Sequence, residues 1–295
     1  MKVLIIADSF GWAFDFIGRD ISEFSKHDVT ATAVSPLGTV TSKTIEEHDV
    51  IFVFSRWIWD NLGYGVRKKA CEKPLIMWCA GTYFAPPPSA IDVFALCTDR
   101  LMKKAEKLGI TNTVLLQAGV NSDLFVPLEK PHSEELRVGW AGNPNRPIKR
   151  THLLKLLNYP VKIKGDHGPE FFVKGRSQQP MVEFYNNLDV YVSLMREDRA
   201  HGIGSTLMEA MCCELPVVST DICSFSKVVP ERWLIPGDPD DVVVREANIK
   251  LGILDKDRDL IKSVGKANRE FILKTYSWNI LIENWDRLFE ELSRK

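Results

Sequence analysis

The sequence has little that would place it in a membrane or in an oxidising compartment. Its first apolar run, residues 3–7, ends at Asp8, short of a signal-peptide core, and no run approaches the roughly 18 apolar residues that span a bilayer. The six cysteines form no Cys-x-x-Cys pair and no Cys/His cluster, which indicates neither a metal site nor a disulfide framework. We therefore expect a cytoplasmic protein with reduced, buried thiols, and contact with a membrane surface stays open as an alternative.

The chain also lacks a charge imbalance, an internal repeat and a low-complexity run. Its formal net charge is −1, so bulk charge does not predict a nucleic-acid partner. Hydrophobic residues make up 45% and charged residues 26%, which is ordinary for a globular protein and argues against disorder. A length of 295 residues is enough for two domains.

Apolar runs alternate with amphipathic segments along the whole chain, a pattern typical of α/β proteins with parallel sheets. The first strand and helix are predicted over 2–7 and 14–25, with further strands over 29–34, 50–54, 75–79, 93–97 and 114–117. A polar linker follows residue 127, and a second strand and helix series runs from 136 to about 274. The final helix, over 278–292, has one apolar face and must pack against another part of the chain.

The most informative segment joins a glycine turn, a helix start and a carboxylate within 201–209. Gly202 and Gly204 allow a tight turn, and Ser205 is the expected N-cap of an apolar helix. The first amides of a helix have no partner within it, so those of Gly204, Ser205 and Thr206 can bind phosphate oxygens. Glu209 lies one turn further along the same face and can accept hydrogen bonds from ribose hydroxyls.

Another segment, which is rich in basic residues, strengthens the prediction of an anion site. Between Arg137 and Lys164 there are seven Lys or Arg residues and no acid, as suits a doubly charged diphosphate. Within it a strand leads into a turn that carries Asn143, Arg146 and Lys149.

Together these segments resemble the retaining glycosyltransferases of the GT-B fold, specifically the GT4-like group. The family pattern is Glu, seven residues, Glu, then Ala-Met-Ala; here Glu209 is the second acid and His201 stands in the place of the first. Lys149 matches the family lysine, whereas Asn143 occupies the place of the family arginine and Arg146 is the candidate for the second charge. Residues 119–127 resemble the Gly-Val-Asp...Phe-x-Pro signature that ends the first domain in this family.

The resemblance implies two Rossmann-like domains facing a cleft. It predicts an acceptor-side domain over 1–127 plus about 276–295, because the terminal helix crosses back, and a donor domain over 128–275. It also implies that a sugar moves from a nucleotide-diphosphate sugar, the co-substrate, to a sugar, lipid-linked or other small acceptor, without a metal or other cofactor. The predicted catalytic residues are Lys149, His201 and Glu209.

Other functions stay open beside this one. A sugar-nucleotide epimerase or phosphorylase uses the same fold, and His201 in the place of the family glutamate favours a catalytically silent nucleotide-sugar-binding protein. A dinucleotide oxidoreductase is disfavoured, because the turn after the first strand lacks Gly-x-Gly-x-x-Gly. His201 itself either bonds a sugar hydroxyl or simply belongs to the turn.

The acceptor side is predicted from the first domain. Gly11 and Trp12 follow the first strand, and Trp57 follows the third, where the carboxyl ends of parallel strands face the cleft. Each indole has a structural alternative, packing on the core. For the nucleobase the candidate region is the loop over 174–181. The identities of base, sugar and acceptor do not follow from the sequence.

Overall fold

The computed structural model describes residues 1–35, 39–81, 84–129, 133–165, 173–197, 202 and 204–294. Two separate parallel sheets organise these residues. The first has six strands in the order β2-β1-β3-β4-β5-β6. Its strands are β1 (Lys2–Ser9), β2 (Asp28–Ser35), β3 (Val50–Val53), β4 (Leu75–Cys79), β5 (Val93–Leu96) and β6 (Thr113–Leu115).

Helices connect most of these strands. The middle strands β3 and β4 are buried along their whole length, which explains their uninterrupted apolar sequences Val-Ile-Phe-Val and Leu-Ile-Met-Trp-Cys. The helices are α1 (Ala13–Phe24), α2 (Ser42–Glu46), α3 (Arg56–Asn61), α4 (Tyr64–Ala70) and α5 (Asp99–Lys107). The observed strand ends agree with the predicted ones within two residues.

The second sheet has five strands in the order β11-β10-β9-β7-β8, again all parallel. Its strands are β7 (Val138–Ala141), β8 (Val161–Lys164), β9 (Val190–Ser193), β10 (Val217–Thr220) and β11 (Leu234–Ile235). The helices of this half are α6 (Thr151–Leu154), α7 (Gln179–Asn186), α8 (Ser205–Cys212), α9 (Asp240–Asp255) and α10 (Arg258–Thr275). Each sheet has its own hydrophobic core.

The last helix, α11 (Trp278–Ser293), returns to the first core. Trp278, Trp285 and Phe289 are fully buried there, and the indole N–H of Trp285 donates to the Gln117 carbonyl at 2.8 Å. The predicted α/β class, with two Rossmann-like sheets and a terminal helix that crosses back, is confirmed.

The chain passes between the two halves twice, and the two passages lie side by side. The amide of Val120 donates to the Tyr276 carbonyl at 2.9 Å, and that of Trp278 donates to the Val120 carbonyl at 3.1 Å. A Cβ on Gly119 would lie 2.8 Å from the Trp278 ring, so only glycine fits this passage. Asp20 accepts from the Trp278 indole at 3.0 Å, and burial raises the pKa of its carboxyl to about 7.

The cysteines divide by location. Cys79, Cys97, Cys212 and Cys213 are buried, as expected, whereas Cys71 is exposed and Cys223 is half-buried. Burial raises the pKa of the Cys79 thiol to about 11, so it stays protonated at neutral pH. Within the described ranges no helix combines the length and the hydropathy that crossing a membrane would require.

Candidate functional site

The predicted anion site is built where α8 begins, beyond the carboxyl end of β9. The helix starts at Ser205, but its N-cap is Gly204, and no side chain caps it. The expectation that Ser205 is the N-cap is therefore wrong: Ser205 is the first helical residue, and its side chain is exposed. The amides of Ser205 and Thr206 belong to the first turn, where no intrahelical partner is available to them.

Backbone conformation alone does not require the two glycines before α8. Gly204 has φ −66°, which any residue adopts, and neither glycine has a left-handed φ. Gly202 is required by crowding instead, because a Cβ there would lie 2.6 Å from the Ala80 carbonyl oxygen of the first half. The segment thus approaches protein backbone across the cleft. His201 lies outside the described residues.

Tyr191, on β9, connects the first turn of α8 to the end of β7. Its hydroxyl donates to the Ala141 carbonyl at 3.1 Å and accepts from the Ala141 amide at 3.3 Å. The Thr206 side chain is hydrogen-bonded to the same hydroxyl. Since Gly142 follows Ala141 directly, this link holds the helix start beside the loop that carries Lys149.

Lys149 ends a short 3-10 turn, Pro147–Lys149, in that loop. Its Nζ lies 3.3 Å from the Met195 sulfur, just beyond β9, and its stem passes over Gly142, where a Cβ would be 3.9 Å from Cε. Burial, and then the nearby Arg146, lower the pKa of the Lys149 amine to about 8. The predicted residue is thus a desolvated cation beside the carboxyl end of β9.

The other two predicted residues of this loop differ in character. Asn143 accepts the Asn145 amide at 2.9 Å with its side chain, so it stabilises the turn. Arg146 is half-buried and within electrostatic range of Lys149. In the described part of the chain Arg146 forms no ion pair.

Glu209 is half-buried, and its Oε2 accepts a hydrogen bond from the Tyr185 hydroxyl at 2.7 Å. Burial raises the pKa of this carboxyl to about 7, although the Tyr185 bond opposes the shift. Oε2 thus contacts a fully buried tyrosine, so the Glu209 carboxylate belongs in part to the core. Neither Tyr185 nor Tyr191 was predicted as a site residue. The signal was their position, on the helix and strand that precede the motif.

On the acceptor side, Gly11 and Trp12 form the turn between β1 and α1. Gly11 has φ +70°, a left-handed conformation that favours glycine, and its amide donates to Asp15 at 2.9 Å. Trp12 is half-buried at the N-cap of α1. The two indoles of α3 differ: Trp59 is 5% exposed and packs in the core, whereas Trp57 is 55% exposed.

The charged loop after β9 has structural partners. Arg196 donates to Asp238 at 3.2 Å and to Asp240 at 3.0 Å. Glu197 pairs with Arg100 at the start of α5, an ion pair between the two halves. Arg199 lies outside the described residues. Among those described, no group of His, Cys, Asp and Glu side chains has the arrangement of a metal site.

Residues 126–247, which include β7 to β11 and α8, match the model of the family described as glycosyl transferases group 1. No curated protein matches the chain.

Solved glycosyltransferase structures are similar along nearly the whole chain. A glycosyltransferase from Rickettsia africae superposes with a TM-score of 0.73 at 14% identity, covering 99% of this chain and 98% of that one. HepE from Anabaena, in complex with UDP and glucose, superposes at 0.68 and 13% identity, with the same coverage. The catalytic domain of starch synthase IV from Arabidopsis thaliana, bound to ADP and acarbose, superposes at 0.68 and 10% identity, covering 100% and 99%. At these identities the likeness establishes the GT-B fold alone.

Proposed function

We propose that this protein is a retaining, metal-independent glycosyltransferase that uses a nucleotide-diphosphate sugar as donor. The observation that supports this most is the position of Lys149. Its desolvated amine lies beside the Met195 end of β9, while Tyr191 holds the first turn of α8 against the same loop. A buried cation and unpaired helix amides at one sheet edge make a site for a diphosphate. The family match covers this edge.

Each part of the donor then has a place. The diphosphate binds Lys149 and the amides of Gly204, Ser205 and Thr206, with Arg146 as a second cation. Glu209 accepts hydrogen bonds from the ribose, and its bond to Tyr185 orients the carboxylate. His201 is proposed beside the donor sugar. The segment over 174–181, whose last three residues form the start of α7, remains our candidate for the nucleobase, through its backbone groups.

The proposed reaction needs no protein base. An acceptor hydroxyl oxygen bonds to the anomeric carbon on the face from which the phosphate departs, the carbon–oxygen bond to the diphosphate breaks, and the departing phosphate oxygen takes the acceptor proton. Negative charge develops on the leaving diphosphate during this step. Lys149 and the α8 amides are the groups proposed to stabilise that charge.

The acceptor is proposed to enter from the first half, over Gly11, Trp12 and Trp57. Trp57 supports this, because an exposed indole offers a flat apolar surface on which a sugar ring or lipid can stack. The acceptor class is a sugar, a lipid-linked sugar or another small hydroxyl compound.

A catalytically silent binder is the second candidate, favoured by His201 in the place of the family glutamate. Incubation with UDP-glucose, and separately with ADP-glucose, separates the two functions when binding and release of free nucleoside diphosphate are both measured. We expect saturable binding of one donor with slow hydrolysis, since water replaces the absent acceptor. Saturable binding with no turnover in the presence of sugar acceptors would favour the silent binder, and no binding of any nucleotide sugar would contradict both.

A further inference from the structure

Four residues close a ring of contacts between the two halves, here called the clasp: Gly11, Asp15, Arg19 and Arg176. Asp15 accepts the Gly11 amide at 2.9 Å, and the same carboxylate oxygen lies 3.3 Å from Nε of Arg19. Arg19 Nη1 donates to the Arg176 carbonyl at 2.9 Å, and Arg176 Nη1 donates to the Gly11 carbonyl at 3.2 Å. The clasp therefore joins the turn after β1 to the segment before α7.

Three cations converge on this turn. Besides Arg19 and Arg176, Lys174 lies with its amine 5.7 Å from the centre of the Phe10 ring. Lys174 forms no ion pair with any described residue. The opposing charges are those of Asp15, which pairs with Arg19, and of Asp8, which lies close enough to Asp15 to interact with it. Three cations thus face two carboxyl groups at the turn after β1.

The Arg19 guanidinium has N–H groups that donate no hydrogen bond within the described chain. Its Nε and Nη2 are buried and have no hydrogen-bond acceptor among the described residues, although Asp15 lies within ion-pair distance of Nε. Buried N–H groups of a charged side chain are costly to leave unsatisfied, and such an exception in a folded protein calls for an acceptor. Because Nε faces the Asp15 carboxylate, Nη2 is the donor that a phosphate oxygen can accept from.

We propose that Arg19, Lys174 and Arg176 form a second phosphate-binding site, separate from the diphosphate site at Lys149. Its ligand is a tetrahedral phosphate group, either on the acceptor or as the free ion. The assignment to the acceptor rests on the proposed transferase function. Its position at the turn of Gly11 and Trp12, on the half that faces the acceptor, supports a phosphorylated acceptor.

The test titrates inorganic phosphate against the full chain at constant ionic strength, with binding followed by calorimetry. The variants are Arg19→Gln, Lys174→Gln, Lys149→Gln and, as a control of equal charge change, Lys107→Gln on an exposed face of α5. We expect Arg19→Gln and Lys174→Gln each to weaken phosphate binding about tenfold or more. Lys107→Gln should bind as the wild type does, and Lys149→Gln should lose only the phosphate that binds at the donor site while the affinity of the second site stays unchanged. Lys174→Gln keeps the clasp intact, so the test stands even if Arg19→Gln fails to fold.

Several results would overturn this proposal. Loss of phosphate binding in Lys149→Gln alone would place the phosphate at the donor site. Equal affinity in all four variants, or no saturable binding by the wild type, would mean that the cluster holds no phosphate. Displacement of phosphate by saturating UDP would make the cluster part of the nucleotide site.

Two further titrations, with glucose 1-phosphate and with a nucleotide, complete the test. The first identifies the source of the phosphate, and the second separates failure of this site from failure of the proposed transferase function. A phosphorylated acceptor is supported if glucose 1-phosphate binds more tightly than inorganic phosphate and if Lys174→Gln weakens that binding. Equal affinities of the two compounds support the free ion. If the wild type binds no nucleotide at all but the variant pattern for phosphate holds, the proposed transferase function falls and the second phosphate site stands.

Discussion

The Tyr185 hydroxyl donates a hydrogen bond of 2.7 Å to the Glu209 carboxylate, and this pair links the α7 helix to α8. Glu209 is therefore both the proposed ribose ligand and the partner of a buried phenol. Changes at this position must be interpreted with both contacts in mind.

Replacing Glu209 should weaken donor binding, and the choice of replacement should separate binding from stability. Loss of a charged hydrogen bond worth roughly 2 kcal/mol corresponds to about thirtyfold in affinity. Glu209→Ala also leaves the buried Tyr185 hydroxyl without its partner, at a further cost of about 1–3 kcal/mol in the free energy of unfolding. Glu209→Gln keeps an acceptor for Tyr185, so it should bind donor weakly yet unfold near the wild-type denaturant midpoint. Wild-type donor affinity in folded Glu209→Gln would refute the ribose assignment.

Stability should fall as the pH rises from the acid range to neutrality. Burial raises the pKa of Asp20 from 3.8 and that of Glu209 from 4.5, each to about 7. Between these values the folded state binds more protons than the unfolded chain, so the free energy of unfolding decreases with increasing pH across this window. Urea unfolding at a series of pH values measures the slope. Combining Asp20→Asn with Glu209→Gln should flatten it, and an unchanged slope would mean that these carboxyls titrate normally.

Lys149 should show the opposite dependence at alkaline pH. Its pKa is lowered from 10.5 to about 8, so from about pH 8 to 10.5 the unfolded chain binds more protons and stability rises with pH. Below pH 8 the full cost of the buried cation is present, and Lys149→Met should then be more stable than the wild type. Affinity for a nucleoside diphosphate should fall above pH 8. A variant less stable than the wild type at pH 7 would show that the Lys149 cation is well solvated.

The two glycines before α8 should respond differently to alanine. At Gly202 a Cβ would meet the Ala80 carbonyl at 2.6 Å, so Gly202→Ala must separate backbone across the cleft. At Gly204 the nearest atom, on Leu207, is 3.3 Å away and φ is compatible with alanine, which makes Gly204→Ala the matched control. We expect a lower melting temperature for Gly202→Ala and a much smaller change for Gly204→Ala. Similar melting temperatures would show that the cleft adjusts freely.

His201 gives a prediction from sequence alone. If its imidazole bonds a donor-sugar hydroxyl, protonation near its ordinary pKa of roughly 6.5 should change turnover across that range. His201→Ala should lower transfer more than nucleotide binding, and His201→Glu should retain some transfer with a flatter pH profile near neutrality. Full transfer with an unchanged profile in His201→Ala would make His201 a turn residue.

The sequence predicted the sheets well because their strands, such as β3 and β4, are uninterrupted apolar runs between turn residues. It also placed Lys149 in the turn after a strand and Glu209 in the helix that follows the glycines. It missed Tyr185 and Tyr191, since a buried tyrosine looks like core until its hydroxyl has a partner in space. It missed the N-cap at Gly204, because glycine caps by conformation and Ser205 is the stronger local signal. Contacts between distant segments, such as Arg19 with Arg176, have no local signature at all.

A crystal structure with a bound nucleoside diphosphate tests the diphosphate site between Lys149 and the start of α8. UDP is the first choice, with ADP as the second nucleotide. We expect phosphate oxygens within hydrogen-bonding distance of Lys149 Nζ and of the Ser205 and Thr206 amides, with the ribose at Glu209. A diphosphate bound away from both Lys149 and the α8 amides, for example at Arg19 and Arg176, would contradict this expectation.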